Sequence, residues 1–231
     1  MNNTTCIGLS ILIGYLFGCI NPAFLLAKLK GFDIRTKGSG NPGASNAMLI
    51  LGKKAGVFCA LFDIFKSFAA FKICAYLFPT LETAGLIAGV CCILGHMYPV
   101  FMKFKGGKGL ASAAGLILAY DLKVFGIFFV GEVSIALITN YISLMPTSGS
   151  LLFMIFLYVT QGPVYALIYL PVVVVIWIKH IVNFKRIRYG VEVKIKSFWD
   201  KKNDKERVRK NWEKLTDEQK LNVDMKGAVK K

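Results

Sequence analysis

Three segments of the 231-residue sequence combine glycine with polar or basic side chains, and each is flanked by apolar runs. They are Gly38–Gly56, Gly95–Gly109 and His180–Glu192. Binding or catalytic residues are expected in these segments, because their loops hold side chains that folding alone does not require.

The first segment contains the run GSGNPGASN, which matches the letter pattern GxGxxG. A dinucleotide fingerprint must follow a strand and open a helix, whereas this run lies between apolar segments, so that interpretation fails. Glycine still permits close backbone approach, and N–H groups together with Ser and Asn side chains can form a nest for an anion. The alternative is an ordinary turn. The residues assigned to the nest are Gly38, Ser39, Gly40, Asn41, Ser45 and Asn46.

The second segment ends in the run GGKG, which contains Gly106, Gly107 and Lys108 and precedes an apolar run. Fixed backbone donors, a positive point charge and a helix N-terminus all favour phosphate, and this run supplies them together. The spacing GxxxxGK[ST] of nucleotide P-loops is absent. The neighbouring Lys103 and Lys105 are assigned to membrane anchoring.

In the third segment, His180, Asn183 and Arg186 are spaced by three residues, which places them along one side of a helix. An imidazole, an amide and a guanidinium facing one pocket indicate anion binding with proton transfer. The alternative is the end of an interfacial helix whose basic residues meet lipid headgroups.

The elements that position these segments follow from composition. The chain is 55% hydrophobic with a mean hydropathy of +0.54, which is too apolar for a soluble core of this size. Apolar runs near 20 residues match the thickness of a bilayer, and an all-α polytopic membrane protein is predicted. The seven predicted spans are Cys6–Ala27, Gly56–Phe78, Ala84–Phe101, Leu110–Tyr120, Val124–Leu144, Leu151–Thr160 and Val164–Ile178. Two of them, Leu110–Tyr120 and Leu151–Thr160, are short enough to be halves of a re-entrant pair.

The distribution of Lys and Arg predicts that the N-terminus lies outside and the C-terminus in the cytoplasm, because positive loops stay inside. All three polar segments then share the cytoplasmic face. The net charge of +16 is explained by this topology, so no nucleic-acid partner is expected. Asp63 and Lys66, one turn apart within an apolar run, are expected to pair.

Residues 1–196 are predicted to form the transmembrane domain and residues 197–231 a basic cytoplasmic tail, partly helical or disordered. Val208, Trp212 and Leu215 have helical spacing, and Thr216–Gln219 is a capping box. The tail is expected to lie near anionic membrane lipid.

At these segments the sequence resembles the bacterial acyl-phosphate-dependent glycerol-3-phosphate acyltransferases. Gly38–Gly56, Gly95–Ala111 and His180–Glu192 are similar to that family's three motifs in order and spacing, and the resemblance covers about residues 6–195. It implies a seven-helix bacterial inner-membrane fold with a cytoplasmic active site, which makes lysophosphatidic acid from acyl phosphate and glycerol 3-phosphate in phospholipid synthesis. It also implies that no cofactor, coenzyme A or metal takes part.

The resemblance assigns roles by position. Catalytic roles fall to His180, Asn183, Lys108 and Ser39. Substrate binding falls to Gly38, Gly40, Asn41, Ser45, Asn46, Gly106, Gly107, Ser143 and Arg186. The HxxxxD arrangement of coenzyme-A-type acyltransferases is missing, because Phe101 is the fifth residue after His96 and Lys185 the fifth after His180.

The sequence also departs from the family pattern. Leu49 stands where the first motif usually has Arg, Ile181 where the third has Arg, and Ser45 replaces Thr. Arg35 or Arg186 is a candidate source of the missing charge. The departure at Leu49 keeps two alternatives open, a diverged non-catalytic paralogue and a transporter of phosphorylated metabolites.

Overall fold

The computed structural model describes residues 1–198 and 201–223, and every regular element in these ranges is helical. The α-helices are α1 Asn3–Cys19, α2 Pro22–Leu29, α3 Ala44–Leu51, α4 Lys53–Leu77, α5 Ala84–Met97, α6 Leu110–Tyr120, α7 Leu122–Thr139, α8 Met145–Gln161, α9 Pro163–Arg188, α10 Lys201–Glu213 and α11 Asp217–Val223. Short 3-10 turns lie at Ile34–Thr36, Val100–Met102, Ile142–Leu144 and Ile195–Phe198. The prediction of an all-α protein is confirmed.

Within the described ranges, five stretches are long and apolar enough to cross a membrane. They are Asn3–Leu29, Ala84–Met102, Leu122–Thr139, Ile142–Gln161 and Pro163–Arg188. Large apolar side chains point outward from them, as in α7, where Ile127 is 72% and Ile138 84% exposed. Such surfaces are stable against lipid and not against water. The count of seven spans, which also needs the charged helix α4 and the 11-residue α6, stays a prediction.

The first predicted span is not one continuous helix. It is divided into α1 and α2, because Pro22 lacks an N–H group and Asn21 caps the second helix, accepting the Phe24 N–H on Oδ1 at 2.8 Å. The predicted span Cys6–Ala27 is thus made of two helices, within a stretch, Asn3–Leu29, that is long and apolar enough to cross a membrane. The break exposes the last carbonyls of α1, which must be satisfied elsewhere.

Three other helix boundaries differ from the prediction by five residues or more. Helix α8 begins at Met145, six residues before the predicted Leu151, because Pro146 fits the first turn of a helix. Helix α7 ends at Thr139 because the next residue, Asn140, has a left-handed φ of 65°. Helix α9 continues ten residues past the predicted Ile178 and carries the third polar segment from His180 to Arg188.

Helices α1 and α5 pack closely through small residues. A Cβ at Gly14 would lie 2.2 Å from the carbonyl oxygen of Ala88, and one at Gly18 would lie 2.1 Å from that of Cys92. This small-xxx-small spacing lets two backbones touch, which favours helix association in lipid. The main apolar core lies between α5, α6, α8 and α9.

The tail folds back onto the chain. Val208 and Trp212 lie on α10 and Leu215 follows its end. Val208 is buried together with Val191 and Val223, and Trp212 and Leu215 pack against them. The predicted capping box is confirmed, because Thr216 N–H donates to Gln219 Oε1 at 3.0 Å and Gln219 N–H donates to Thr216 Oγ1 at 3.3 Å. The expectation of a disordered outer end falls on 224–231, outside the described residues.

Candidate functional site

The first polar loop is held in shape by Asn46. Its side-chain Oδ1 accepts the Ser39 N–H at 3.0 Å, and its Nδ2 donates to the carbonyls of Ile34 at 3.3 Å and Lys37 at 3.1 Å. Gly38 has a φ of +60°, and a Cβ there would lie 2.2 Å from Asn46 Oδ1. The buried Asn46 amide therefore shapes the loop and has these three bonds already made.

The loop leads into the N-terminus of α3, which has Gly43 at its cap and no side-chain capping bond. No side chain caps the first N–H groups of this helix, so they can bind an anion. This arrangement suits the anion nest that was proposed from the sequence. Ser39 and Ser45 are exposed beside them. Leu49, two turns into the same helix, is 60% exposed and offers no charge there.

Two long-range contacts hold the first loop. Asn21 Nδ2, at the break between α1 and α2, donates to the carbonyl of Pro42 at 2.9 Å. Arg35 Nη1 donates to the carbonyl of Met102 at 2.7 Å, which joins the first loop to the second. Arg35 also pairs with Asp33 at 2.7 Å, and its hydrogen bonds hold the pKa of that carboxyl below the usual range. Arg35 is thus engaged in structure.

In the second loop, Gly106 and Gly107 turn back on the end of α5. Gly106 N–H donates to the carbonyl of Met97 at 3.2 Å and Gly107 N–H to that of His96 at 3.1 Å. A Cβ at Gly107 would lie 2.2 Å from His96 Nε2. These glycines permit close packing, and the two N–H groups that the sequence assigned to phosphate are bonded within the protein. The next turn, the uncapped N-terminus of α6 at Leu110, holds open donors instead.

Lys108 extends from this loop to α9. Its Nζ donates to Asn183 Oδ1 at 2.5 Å, and Asn183 Nδ2 donates to Glu192 Oε1 at 2.8 Å. Burial lowers the pKa of Lys108 to about 8, although the Glu192 carboxylate acts in the opposite direction. Residues 75 positions apart in the chain are thus joined, and the second and third polar segments meet at this contact.

His180 lies one turn before Asn183 on the same buried face of α9. Its Nδ1 is 2.7 Å from the carbonyl oxygen of Ile176, and a carbonyl only accepts, so Nδ1 carries the proton. The lone pair is therefore on Nε2, where a substrate hydroxyl can donate. Ser143 Oγ, in the turn before α8, is buried and has no hydrogen-bond partner among the described residues.

Arg186 and Lys179, two other basic residues near the cytoplasmic end of α9 in the predicted topology, have protein partners. Arg186 Nε donates to the carbonyl of Val223 in α11 at 2.9 Å. Lys179 donates to the carbonyl of Met97 at 3.0 Å and lies 4.3 Å from the centroid of the Tyr98 ring. Ile181, which replaces the family's Arg, is exposed.

A buried polar cluster supports the second loop from below. Lys66 Nζ lies 2.7 Å from Asp63 Oδ1 and 3.0 Å from His96 Nδ1, which confirms the predicted pairing of Asp63 with Lys66. Lys66 also donates to the carbonyls of Gly18 at 3.2 Å and Ile20 at 2.7 Å. It thereby satisfies the carbonyls that the break after α1 leaves unpaired.

The residues that sequence reasoning missed act on the site from a distance. Asn21 donates to the backbone of the first loop, and Glu192 accepts from the Asn183 side chain. Arg207 donates to the backbone of the turn after α9. An Asn-Pro pair was a readable signal for Asn21, since it marks a helix start. Glu192 lies within the third motif and was left without a role. Nothing local in the sequence points to Arg207.

Comparisons with known proteins place the chain in a family. A family model described as glycerol-3-phosphate acyltransferase matches residues 8–190. A glycerol-3-phosphate acyltransferase of Desulfotalea psychrophila is 40% identical, with 83% of this chain and 97% of that protein covered. One of Thermoanaerobacter pseudethanolicus is 36% identical, with 81% and 94% covered.

Solved structures agree. The crystal structure of PlsY (YgiH), an integral membrane glycerol 3-phosphate acyltransferase, in its glycerol 3-phosphate form is 34% identical with a TM-score of 0.76, and 85% of this chain and 98% of that chain are covered. Its lysophosphatidic acid form is 34% identical with a TM-score of 0.72, with 81% and 94% covered. The chain therefore belongs to the glycerol-3-phosphate acyltransferase family.

Proposed function

We propose that this protein transfers an acyl group from acyl phosphate to glycerol 3-phosphate, forming lysophosphatidic acid and inorganic phosphate. The observation that carries the proposal is the contact between Lys108 and Asn183, one turn from His180. It joins the second and third family motifs into one polar site. A cation, an amide and an imidazole nitrogen with a free lone pair suit a reaction between two phosphorylated substrates.

The proposed reaction needs little covalent help, because acyl phosphate is already an activated anhydride. The glycerol hydroxyl attacks the acyl carbon, a carbon–oxygen bond forms, and the bond from that carbon to the phosphate oxygen breaks. The hydroxyl proton goes to a phosphate group of the substrates, and the electron pair leaves with the phosphate. His180 Nε2 and Asn183 orient the hydroxyl, while Lys108 stabilises the charge on the phosphate; orientation and charge stabilisation then provide most of the rate.

Substrate phosphates are proposed to lie at the uncapped starts of α3 and α6. Ser39 is assigned a catalytic role and Ser45 a binding role at the first start. Gly38, Gly40 and Asn41 shape that loop. The Ser143 hydroxyl, which has no partner within residues 1–198 and 201–223, can bond a substrate. Asn46, Gly106 and Gly107 are proposed to act by holding their loops, since their polar atoms are already bonded. Arg186 adds positive charge near Lys108.

We also propose the finer topology. Counting α4 and α6 as spans gives seven, with the N-terminus outside and the C-terminus inside. The site then faces the cytoplasm from the bacterial inner membrane. The basic tail is placed at the anionic headgroups of the same leaflet.

The deciding experiment is lysophosphatidate formation by the purified protein from palmitoyl phosphate and glycerol 3-phosphate. The wild type is expected to be active, and Lys108→Ala to lose ~100-fold or more in kcat, because a lost charge-stabilising donor typically costs 10²–10³. Lys105→Ala is the matched control, since Lys105 is an exposed lysine of the same loop. Equal activity of Lys108→Ala and the wild type would refute the proposed role.

Leu49→Arg tests the departure from the family pattern. A restored guanidinium on the exposed face of α3 is expected to lower KM for glycerol 3-phosphate about tenfold, in line with ~1.5 kcal/mol for a charge-assisted hydrogen bond. An inactive wild type that gains activity with Leu49→Arg would mark a diverged paralogue. Inactivity of the wild type, Leu49→Arg and Lys108→Ala, with uptake of glycerol 3-phosphate into vesicles, would favour transport.

A further inference from the structure

The tail lies beyond the part of the chain that the family model matches, which ends at residue 190. Nevertheless it packs directly on the third motif. Val191, immediately after α9, is fully buried against Val208 of α10 and Val223 of α11. A tail whose basic residues only bound lipid headgroups would have no reason to pack on Val191 of the third motif.

Arg207 of α10 makes the polar part of this contact. Its guanidinium donates to the carbonyl of Gly190, and Nη2 donates to the carbonyl of Glu192 at 2.8 Å. Asp204 holds the same guanidinium, with oxygen and nitrogen 2.8 Å apart. Asn211 Nδ2 adds a second bond to the carbonyl of Gly190 at 2.9 Å. Two carbonyls of one turn are thus held by one rigid fork.

The turn held by Arg207 carries a side chain of the site. Glu192 Oε1 accepts from Asn183 Nδ2, which leaves Asn183 Oδ1 to accept from Lys108. The side-chain amide of Asn can be turned so that either its oxygen or its NH2 group faces a neighbour. Because the Glu192 carboxylate only accepts hydrogen bonds, the NH2 group of Asn183 must face it. The position of Glu192 therefore decides which amide atom faces Lys108.

We propose that Arg207 is a positioning residue for acyl transfer, acting through the Gly190–Glu192 turn and the Glu192 side chain on Asn183 and Lys108. This inference rests on the proposed function of that site. It assigns to the tail a role in the reaction, in addition to any contact with lipid.

The test compares Arg207→Ala with Arg209→Ala. Arg209 is a neighbouring arginine that is exposed and pairs with Glu213 at 3.4 Å. Arg207→Ala is expected to lower kcat ~10- to 100-fold with a smaller change in KM, because misplacement by about 1 Å costs up to 10² in rate. Arg209→Ala is expected to stay within twofold. Arg207→Lys, which keeps the charge without the fork, should fall between them.

A double-mutant cycle separates positioning from a merely structural role. If Arg207 acts through Glu192, Arg207→Ala has little further effect in a Glu192→Gln background. Multiplicative losses, or an unchanged kcat in Arg207→Ala, would overturn the proposal. Melting temperatures of all variants identify any that fail to fold, and Arg207→Lys then supplies the cycle.

Amide exchange gives a readout that does not depend on activity. The N–H groups of Val191 and Glu192 donate to the carbonyl of Arg186 at 2.8 and 3.1 Å, and Arg207→Ala should speed their exchange while Arg209→Ala does not. Unchanged exchange rates of these two N–H groups in Arg207→Ala would contradict the proposal that Arg207 holds the Gly190–Glu192 turn. A wild type without acyl transfer would defeat the proposed function, and the exchange result would still decide whether Arg207 holds the turn.

Discussion

At the level of single residues, Lys108 depends on its surroundings for its charge. Its ammonium is partly buried beside Asn183, and this burial lowers its pKa to about 8. The charged groups that act on the Lys108 ammonium are Glu192, Arg186 and Lys179. The Lys108 charge acts in turn on His180. Glu192 favours the charged form and the two cations disfavour it.

This state predicts the pH dependence of the reaction. Only the protonated amine can stabilise phosphate charge, so kcat/KM should fall as pH rises through about 8. Glu192→Gln removes the carboxylate that raises the Lys108 pKa, so the falling limb should move to lower pH. Rates with palmitoyl phosphate across pH measure this, and Lys105→Ala should keep the wild-type profile. A limb that stays in place in Glu192→Gln would contradict the assignment.

At the level of elements, the break between α1 and α2 is closed by a side chain from α4. Lys66 donates to two carbonyls at the end of α1 and pairs with Asp63, while His96 of α5 completes the cluster. One cation thus connects three helices below the second loop. Removing one partner of a buried ion pair leaves the other charge without compensation.

Lys66→Met is therefore expected to destabilise the protein by ~3–5 kcal/mol, the usual cost of breaking a buried pair. Thermal unfolding of the purified protein in detergent measures the loss. Lys72→Met is the matched control on the same helix, because Lys72 is exposed and its amine lies near the rings of Phe68 and Phe71. Equal melting temperatures for the two variants would refute the structural role of Lys66.

At the level of the whole molecule, sidedness is open to direct measurement. Thr80, between α4 and α5, is predicted outside, and Lys105, between α5 and α6, inside. Thr80→Cys should react with a membrane-impermeant maleimide in intact cells, whereas Lys105→Cys should react only after the membrane is opened. The native chain is the control, because five of its six cysteines are buried and Cys91 is partly buried. Reversed labelling would invert the proposed topology.

The helices and their chemistry could be predicted to a large extent from the sequence. Helix α6 matches its predicted span, Leu110–Tyr120, residue for residue, because a short apolar run bounded by glycine and a charge specifies itself locally. The helical spacing of His180 and Asn183 was likewise enough to place both on the buried face of α9. The helix ends that differ from the prediction are those set by residues that cap or start a helix, such as Asn21 before α2 and Pro146 in the first turn of α8.

What the sequence by itself determined is the set of local features: the apolar runs, the glycine-rich turns and the order of the three motifs. Only the tertiary structure decided that the N–H groups of Gly106 and Gly107 donate to carbonyls at the end of α5. It alone decided that Lys66 donates to the carbonyls at the end of α1. It also decided that Arg207 bonds the turn after α9. The physical reason is that these contacts join groups far apart in the chain, from 9 residues for Gly106 and Met97 to 46 for Lys66 and Ile20. No local pattern encodes which distant carbonyl or amide will need a partner.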